Sequence, residues 1–595
     1  MRLTGNTLAF DFETTGLRPF NGDTAFCFVL AEVNTGATEV YNLDTPAGAG
    51  GEVLRTVCGD ASNTLIAHNA KFELSFLHVM GIVVKAKIED TMLMHQMLDN
   101  LARHGLDFVA NLFASTDDIR RWGTLDGEIT KANKIYGSYD KIPRDLIHEY
   151  VRADGERTAL IYATMLPALK RDVSLYENYL MEIDLIKVTV HMEAVGILVD
   201  DGKANKLLKF LDTELTSARK QIDAIVKEPI NVNSPKQLMH LLYDVYEFPK
   251  QFKFDKKESK NKVSVDKSAI EALSVINGHP ILDLIIKIRS YEKGSAMVAS
   301  YLSACDADGI LHPNINTNAA DTGRETSSKP NMQNVSNDVS FKNRYPIPAR
   351  CCFRARPGSV IFSIDYKAIE MVLGVQGTKS KRLIDLVASG FDFHSAMAAS
   401  FFGTDFTNAD KDTKYLLRNK AKNGARFPMF YGAGPATVSR GIGLPLDETI
   451  VGIEKDKKDF PEIYAFMAEC TNFAKKQGYI ETYSGRKLRV IPGKEYTATD
   501  YKIQGSAAVV LKMAQINLHK WLVREFNNEI RLLLPVHDQF LIEYPRKYFP
   551  QRKEILTKIR QIMITIPYIT APLEIEIEMT TTTWDREKEF NLETL

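Results

Sequence analysis

The sequence predicts a multidomain protein that combines strands and helices in roughly two to five units. With 595 residues, the chain is too long for one hydrophobic core. Short apolar stretches with acidic residues at their ends or breaks predict strands near the N-terminus and around 360–366 and 531–543. Between about 174 and 302, apolar residues recur at helical spacing. These patterns predict a fold of mixed strands and helices.

Composition and charge exclude several classes of protein. Hydrophobic residues make up 45% and charged residues 25% of the chain, as in globular rather than disordered, fibrous or membrane proteins. The six cysteines form no CxxC pair, so neither a zinc site nor a disulfide framework is indicated. The N-terminus lacks a secretion signal, and no apolar run approaches the length of a membrane span. We therefore expect a soluble, intracellular protein of the cytoplasm without a membrane partner.

The formal net charge of zero disfavours a polyanion as partner only if the charge is evenly spread. In residues 411–426, six basic side chains accompany a single acid, an excess that can hold phosphate groups. A solvated helix face is the usual explanation of such a run, so this stretch is weak evidence by itself.

Two acids of the first predicted strand lie on the same face of it. Residues 7–16 form an apolar stretch that runs into a glycine turn, and the strand period of two aligns Asp11 with Glu13. Carboxylates between apolar neighbours are costly unless a cation neutralises them, and Mg²⁺ prefers such oxygen ligands. In an isolated pair of this kind, one acid is more often solvated and the other caps a turn. Two later segments are therefore needed to support a metal site.

The later segments add a third and a fourth acid. Glu73 falls within a predicted helix, and Tyr150 and Asp154 are four residues apart on one helical face. The segments DFETTG, HNAKFE and YVRAD resemble the motifs of the DEDD-type 3′-to-5′ proofreading exonucleases, in the subgroup with tyrosine. The resemblance implies that Tyr150 positions the nucleophile and that the metal ligands are Asp11, Glu13, Glu73 and Asp154.

Glu73 departs from that family, whose second motif normally supplies aspartate. The extra methylene moves the carboxylate by about one bond length, roughly 1.5 Å, which implies altered but not necessarily lost activity. Asp90 and residues 103–107 also resemble the family, and we expect mainly structural roles for both.

In the last half, two apolar stretches each present one aspartate. Asp365 ends the first, and Asp538 lies at a polar break in the second. Side by side, these carboxylates can hold two Mg²⁺ ions for the displacement of a phosphate. Residues 322–334, rich in turn formers, predict a polar loop when taken alone.

These segments together resemble the polymerase motifs of family A, the DNA polymerase I type, and the resemblance spans residues 11–584. It implies that Asp365 and Asp538 are the catalytic metal ligands. It also implies that Glu370 blocks the 2′-hydroxyl of a ribonucleotide, so that deoxynucleotides are preferred. Gln539 and Asp500 replace a glutamate and an asparagine that are common in the family, and no essential catalysis is assigned to Gln539. Primer–template contacts are implied for Arg324, Gln333, Gln504 and His537.

The predicted fingers helix leaves two registers open. Arg418 and Lys422 are four residues apart and suit triphosphate binding, while Phe427 and Tyr431, also four apart, suit stacking on the incoming nucleotide. The step from Lys422 to Phe427 is five, one more than in the family. Either the helix carries a bulge, which we favour, or Arg426 takes the stacking place. In the family, phenylalanine at the stacking position discriminates against dideoxynucleotides, and tyrosine accepts them.

The middle region, including residues 233–238, resembles the thumb of family A, with no insert long enough for a processivity partner. Its lysine-rich run at 250–262 predicts an exposed loop, which near DNA adds salt-dependent affinity. His394 matches a phosphate-contacting position of the fingers, with a structural histidine as the alternative.

The resemblance implies an α/β exonuclease domain with a ribonuclease H-like mixed sheet (1–172) and an α+β right-hand polymerase domain (173–595). Within the second domain we expect the thumb at about 180–312, the fingers at about 381–480, and the palm at about 313–380 and 481–595. The implied cofactors are two Mg²⁺ per active site, with Mn²⁺ as a substitute. The implied partners are primer–template DNA and dNTPs, and we expect a monomer whose replisome partners are unknown.

Two other functions stay open at this point. A relative of the single-subunit RNA polymerases shares the palm chemistry but needs neither Glu370 nor an exonuclease domain. A DNA-binding protein with decayed catalytic residues is disfavoured by the full set of acids. The arrangement without a preceding 5′-nuclease domain is common among phage replicative polymerases, so a viral origin, with the host cytoplasm as location, is expected by analogy.

Overall fold

The structure is a computed structural model that describes residues 5–44, 48–255, 260–335 and 344–590. Its first part is a five-stranded sheet flanked by helices, with strand order β3-β2-β1-β4-β5. The elements are β1 (Thr7–Thr14), β2 (Ala25–Glu32), β3 (Thr38–Asn42), α1 (Ala49–Gly59), β4 (Thr64–Ala67), α2 (Ala70–Val79), β5 (Lys87–Asp90), α3 (Thr91–Leu98), α4 (Leu106–Asn111), α5 (Thr116–Tyr136) and α6 (Arg144–Lys170).

The sheet is mixed, as expected, with β1 at its centre. β1 pairs antiparallel with β2 and parallel with β4. Its apolar residues Leu8, Phe10 and Phe12 are buried between the sheet and the helices, and α6 packs across β1 and β2. This packing brings the acidic end of β1 against the middle of α6.

The middle of the chain is mainly helical. Its elements are α7 (Val173–Val195), β6 (Ile197–Val199), α8 (Asp201–Val226), α9 (Pro235–Met239), β7 (Phe252–Asp255), β8 (Lys260–Val263), α10 (Lys267–Asn277), α11 (Pro280–Ser303), β9 (Ile310–Leu311), β10 (Asn314–Asn316) and β11 (Thr326–Ser328). The helix α7 joins the two parts, because Tyr179 lies in the core of the first part and Met192 in the core of the last.

The exposed loop expected at 250–262 is wrong in its conformation. β7 and β8 pair antiparallel there, from Phe252 opposite Val263 to Asp255 opposite Lys260. Residues 256–259 of the run lie outside the described residues. The lysines disfavour burial but not strand pairing, because a two-stranded ribbon can leave its side chains in solvent.

The last part combines a second sheet with many helices. Its elements are β12 (Phe353–Arg354), β13 (Ser359–Tyr366), α12 (Ile369–Thr378), α13 (Lys381–Ala388), α14 (Phe393–Phe402), α15 (Thr404–Thr407), α16 (Lys411–Ala421), α17 (Phe427–Phe430), α18 (Pro435–Ile442), α19 (Leu446–Asp459), α20 (Pro461–Gln477), β14 (Tyr479–Glu481), β15 (Lys487–Arg489), α21 (Ala498–Phe526), β16 (Arg531–Val536), β17 (Gln539–Pro545), α22 (Arg552–Ile564), β18 (Ile575–Thr580) and β19 (Lys588–Glu589).

The second sheet has the order β16-β17-β13-β18-β19, with antiparallel pairing throughout. β13 is its central strand, and its inner residues Val360, Phe362 and Ile364 are fully buried. Helices α13 to α20 follow one another between β13 and β16 along the chain, and α13, α14 and α20 share a hydrophobic core with the second sheet. In the described part of the chain, no helix combines the length and apolar composition needed to cross a membrane.

Candidate active sites

The first acidic cluster joins the end of β1 to α6. One carboxylate oxygen from each of Asp11, Glu13 and Asp154 lies within 4.8 Å of the others. Burial raises the pKa of Asp11 and Glu13 well above the usual range, and the neighbouring acids raise these pKa values further. Burial also raises the pKa of Asp154, to about 7. Three oxygens that repel one another in a buried setting form a donor set suited to a hard divalent cation.

Glu73 is close to this cluster but not part of its tightest group. It lies in the first turn of α2, and its side chain is buried. Its Oε2 has no hydrogen-bond partner among the described residues. Burial raises its pKa, and so does the charge of Asp11, which places the two carboxylates within electrostatic range. The expectation that Glu73 is a metal ligand therefore stays a prediction.

Tyr150 lies one turn before Asp154 on α6, on the same helical face, as the spacing predicts. Burial, followed by the charges of Asp154 and Glu13, raises the pKa of its phenol. The ring packs edge to face on Tyr139, with 6.3 Å between the ring centroids. Tyr150 is therefore a neutral hydroxyl held beside the acids, able to orient a water molecule.

Asp90 has the structural role expected for it. Its carboxylate caps α3 by accepting hydrogen bonds from the backbone N–H groups of Met92 and Leu93. It also accepts from the backbone N–H groups of Asn69 and Ala70, at 3.2 and 2.7 Å, and so ties the start of α2 to β5.

A cleft lined by charged groups of both signs and by two phenylalanine rings lies between the two parts of the chain. It encloses about 510 Å³, and its walls include Arg18, Phe20, Lys71, Phe72 and Asn314. The ring of Phe20 stacks on His312 with centroids 5.3 Å apart. The sequence analysis did not find this wall, because its members come from separate segments.

The second pair of acids lies at one end of the second sheet. Asp365 is the last but one residue of β13, and Asp538 lies in the tight turn between β16 and β17. The backbone N–H of Tyr366 donates to the carbonyl of Asp538 at 3.1 Å, which fixes the turn beside the strand. Oδ1 of Asp365 is buried without a hydrogen-bond partner in the described residues. An unpaired carboxylate oxygen of this kind fits a metal ligand.

Sequence analysis missed two further acids near Asp365. Glu576 on β18 is directly opposite Asp365, and Glu578 is opposite Ser363. Burial raises the pKa of Asp365 to about 8, followed in effect by the charges of Asp538, Glu576 and Glu578. The alternation of acidic and apolar residues along 574–578 is the signal that could have placed these glutamates on one face of a strand.

A cavity of about 490 Å³ opens in front of Asp538. The polar loop at 322–334, the start of α12, the fingers helix, α21 and the turn at 537–538 all contribute to it. The predicted site residues that line it are Arg324, Gln333, Glu370, Lys422, Phe427, His537 and Asp538.

Polar contacts connect these residues across the cavity. The Arg324 guanidinium forms an ion pair with the Glu370 carboxylate. The backbone N–H of His537 donates to Oε1 of Gln333 at 2.7 Å, and Nε2 of Gln333 donates to the carbonyl of Pro535 at 2.8 Å. Gln333 thus ties the polar loop to the turn that carries Asp538.

The fingers helix contains the expected bulge. Residues Lys422–Arg426 form a π-helical turn between α16 and α17. Arg426 points away from the cavity and is buried against Asp456, with Nη2 to Oδ1 at 2.8 Å. Phe427 lines the cavity, with Nζ of Lys422 5.5 Å from its ring centroid. Its ring is nearly parallel to that of Tyr431, at 6.4 Å and 12°. The register with Arg426 in the stacking place is therefore wrong.

Other predicted residues lie around the cavity without lining it. Arg418 is paired with Asp392, with Nε to Oδ2 at 2.5 Å. His394 is buried, neither ring nitrogen has a partner in the described part of the chain, and burial lowers its pKa to about 3. Gln504 affects the pKa of both Tyr431 and Asp500, so its amide lies near these two side chains. Arg418, His394 and Gln504 come from α16, α14 and α21.

The chain matches the models of two protein families. The family model described as "DNA polymerase family A" matches residues 202–586, and the one described as "3'-5' exonuclease" matches residues 2–170. A DNA polymerase I of Chloroflexus aurantiacus is 26% identical over 591 residues, which cover 96% of this chain and 60% of that protein. A thermostable DNA polymerase I of Thermus thermophilus is 29% identical over 412 residues, which cover 67% of this chain and 47% of that protein. The chain thus spans about half to three fifths of these relatives.

A solved structure has a similar fold. The POL domain of Pol1 from M. smegmatis, in complex with DNA primer-template and dNTP, superposes with a TM-score of 0.82 at 23% sequence identity. The match covers 98% of this chain and 96% of that one. It confirms the predicted fold.

Proposed function

The chain belongs to DNA polymerase family A, and from this membership we propose that it is a template-directed DNA polymerase with a proofreading 3′-to-5′ exonuclease. It adds dNTPs to the 3′ end of a primer annealed to template DNA and removes mispaired nucleotides from that end. The observation that carries the proposal is the convergence of Arg324, Glu370, Lys422, Phe427 and Asp538 on one cavity.

We assign the exonuclease to residues 1–172 and the polymerase to residues 173–595. The end of α6 at Lys170 and the start of α7 at Val173 support this boundary. The helices α8 to α11 support a thumb at about 180–312, and the helices α13 to α20 support fingers at about 381–480. The second sheet supports a palm formed by about 313–380 and 481–595.

Both acidic sites fit divalent metal ions by the chemistry of their donors. Asp11, Glu13 and Asp154, with Glu73 beside them, would hold the ions of the exonuclease, and Asp365 and Asp538 those of the polymerase. Two bound Mg²⁺ per site, or Mn²⁺ in their place, would activate the attacking oxygen and neutralise charge on the phosphate. Tyr150 orients the attacking water at the exonuclease site.

Residues around the polymerase cavity bind and select the substrates. Lys422 and Arg418 attract the triphosphate, with His394 as a neutral donor behind them, and Phe427 and Tyr431 offer aromatic faces to the incoming nucleotide. Glu370 occupies the place of a ribose 2′-hydroxyl and excludes ribonucleotides. Arg324, Gln333, Gln504 and His537 contact the primer–template.

Primer extension and excision on the purified chain test the proposal. Asp365→Asn and Asp538→Asn each remove one carboxylate from the polymerase site, so extension should be abolished while excision is retained. The double variant Asp11→Ala, Glu13→Ala should lose excision and keep extension, because its carboxylates belong to the other cluster. The activity that each variant retains shows that the variant protein is folded. Extension by either polymerase-site variant would refute the assignment.

The comparison of dNTP with rNTP separates this function from an RNA polymerase. The wild type should extend a DNA primer with dNTPs and hardly with rNTPs, and Glu370→Ala should raise the relative use of rNTPs. Equal use of both substrates by the wild type would favour the RNA polymerase alternative. Binding of primer–template without any product would favour a DNA-binding protein.

A further inference from the structure

A buried arginine contacts the first acidic cluster, one helical turn after Asp154. Arg157 lies on α6 and is 1% exposed. Its Nη1 donates to Oδ1 of Asp154 at 2.6 Å, and its Nη2 donates to both oxygens of Asp126 at 2.8 and 2.9 Å. Nη1 also lies 3.2 Å from Oδ1 of Asp107.

The three carboxylates come from three helices, because Asp107 lies on α4, Asp126 on α5 and Asp154 on α6. Nη2 of Arg157 is shared between both oxygens of Asp126, while Nη1 reaches Asp154, so two different nitrogens anchor the guanidinium on two acids. The ring of Trp122, one turn before Asp126 on α5, lies 5.2 Å from the guanidinium carbon. Arg157 is therefore held in one orientation by groups outside the cluster.

This orientation reaches Asp154 through a short, charge-assisted hydrogen bond. The bond engages Oδ1 of Asp154, and the same carboxylate belongs to the cluster with Asp11 and Glu13. Without it, the carboxylate could rotate, and its repulsion with the other two acids would be uncompensated. Partners that orient a metal-binding carboxylate commonly change metal affinity or activity by about 10- to 100-fold when they are removed.

We propose that Arg157 is a positioning residue of the exonuclease site, which fixes the Asp154 carboxylate in the orientation that binds the metal. This inference rests on the proposed exonuclease function. The side chains of Trp122, Asp126, Arg157 and Asp154 form a series of contacts that extends from α5 to the metal-binding face of α6. The motif YVRAD ends before Arg157, so the motif alone does not reveal it.

Arg121 is a matched control for the loss of an arginine. It lies on α5 and pairs with Glu156, and its guanidinium carbon is 5.8 Å from the same Trp122 ring. It makes no contact with Asp154. About half of the Arg121 side chain is exposed, so Arg121→Met controls for the loss of an ion pair between α5 and α6 and not for the loss of a buried charge.

The experiment measures Mn²⁺ binding to the full chain by electron paramagnetic resonance. The background is Asp365→Asn with Asp538→Asn, so that binding reports the exonuclease cluster. Arg157→Met should weaken Mn²⁺ binding by about 10- to 100-fold, and Arg121→Met should leave it unchanged. With Asp365 and Asp538 intact, Arg157→Met should lower the excision rate by a similar factor and leave extension unchanged.

A charge-balanced variant covers the case in which Arg157→Met fails to fold. Arg157→Met with Asp126→Leu removes one charge of each sign and replaces the ion pair with apolar groups. Cooperative thermal unfolding reports its folding, and its Mn²⁺ affinity should be as low as that of the single variant. If the folded variant bound Mn²⁺ as tightly as the protein with Arg157 and Asp126, or more tightly, the proposal would be overturned. A wild type that binds Mn²⁺ but excises nothing would instead refute the exonuclease function, and the binding comparison would still test Arg157.

Discussion

Asp365 shows how burial prepares a carboxylate for a cation. Its pKa is raised to about 8, first by burial and then by the charges of Asp538, Glu576 and Glu578. In the unfolded chain, an aspartate titrates near 4. The protonated form is therefore favoured in the metal-free fold. The stability that the fold gains from holding Asp365 protonated is complete below about pH 4 and is lost as the pH rises towards 8.

Asp365→Asn should therefore stabilise the metal-free protein, and more at pH 8.5 than at pH 5, because the amide carries no charge to bury. At pH 8.5, the free energy of unfolding of Asp365→Asn should exceed that of the wild type by on the order of 1 to 3 kcal/mol, which is below the limit set by the full pKa shift. Thermal melting in EDTA at the two pH values measures it. Asp212→Asn, at an exposed site on α8, is the control. An equal effect of Asp365→Asn at both pH values would contradict the pKa argument.

Phe427 is the residue whose role depended on the register of the fingers helix. Its ring faces the cavity, whereas Arg426 is committed to Asp456. Phe427→Tyr adds a hydroxyl at the stacking position, which can replace a hydrogen bond lost with a missing 3′-hydroxyl. The preference for dNTP over ddNTP should then fall by about tenfold, the value of one hydrogen bond.

Competition between ddNTP and dNTP in primer extension measures this preference. Incorporation of dNTP alone should stay near the wild-type rate, which controls for folding of the fingers. Lys422→Ala should instead weaken nucleotide binding. An unchanged ddNTP preference in Phe427→Tyr, together with lost binding in Lys422→Ala, would mean that another residue stacks on the nucleotide.

At the scale of elements, the π-helical turn between α16 and α17 decides which side chains face the substrate. One extra residue rotates Phe427 towards the cavity and Arg426 towards α19. The side chains of Arg426 and Asp456 are 1% and 0% exposed, and the Tyr464 hydroxyl donates to the second oxygen of Asp456 at 2.7 Å. This buried pair stabilises the π-helical turn on the side that faces away from the cavity.

Asp456→Ala should destabilise the fingers by about 3 to 5 kcal/mol, because it leaves the Arg426 charge buried and unpaired. Glu462→Ala is the control, since it removes the partner of Arg382 in an exposed pair of the same group of helices, which is worth at most about 1 kcal/mol. Hydrogen exchange of the amides of α16 and α19 measures both variants. Similar exchange in the two would show that the buried pair does not hold the turn.

At the scale of the whole molecule, one lysine fastens the exonuclease helix α2 to the rest of the chain. Nζ of Lys71 donates to Oε1 of Glu193 at 2.6 Å, to Oδ1 of Asn314 at 2.7 Å and to the carbonyl of Ile315 at 2.9 Å. The backbone N–H of Ile315 donates to the same glutamate oxygen. Because Lys71 is two residues before Glu73, this contact also holds the turn of α2 that carries Glu73.

Lys71→Met should loosen α2 and lower excision by tenfold or more while extension continues, since it leaves Glu193 buried without its cation at a cost of about 3 to 5 kcal/mol. Lys487→Met, which breaks the exposed pair with Asp172 across the same boundary, should change excision little. Rates on single-stranded DNA and hydrogen exchange of α2 measure the effect. Unchanged excision in Lys71→Met would show that α2 keeps its place without the pair.

The sequence by itself determined the local placement of most candidate site residues. The strand period aligned Asp11 with Glu13, and the helical period aligned Tyr150 with Asp154. The five-residue step after Lys422 predicted the bulge that the structure contains. These inferences succeed because periodicity depends on the backbone geometry of one segment.

Only the tertiary structure decided the contacts between distant segments. It brought Glu576 opposite Asp365, paired Arg324 with Glu370, and joined Arg157 to Asp126 and Asp154. It also paired two lysine-rich segments into β7 and β8, where composition predicted a loop. Such contacts depend on which elements pack together, and that choice is set by the burial of whole faces of helices and sheets rather than by the spacing within any one of them.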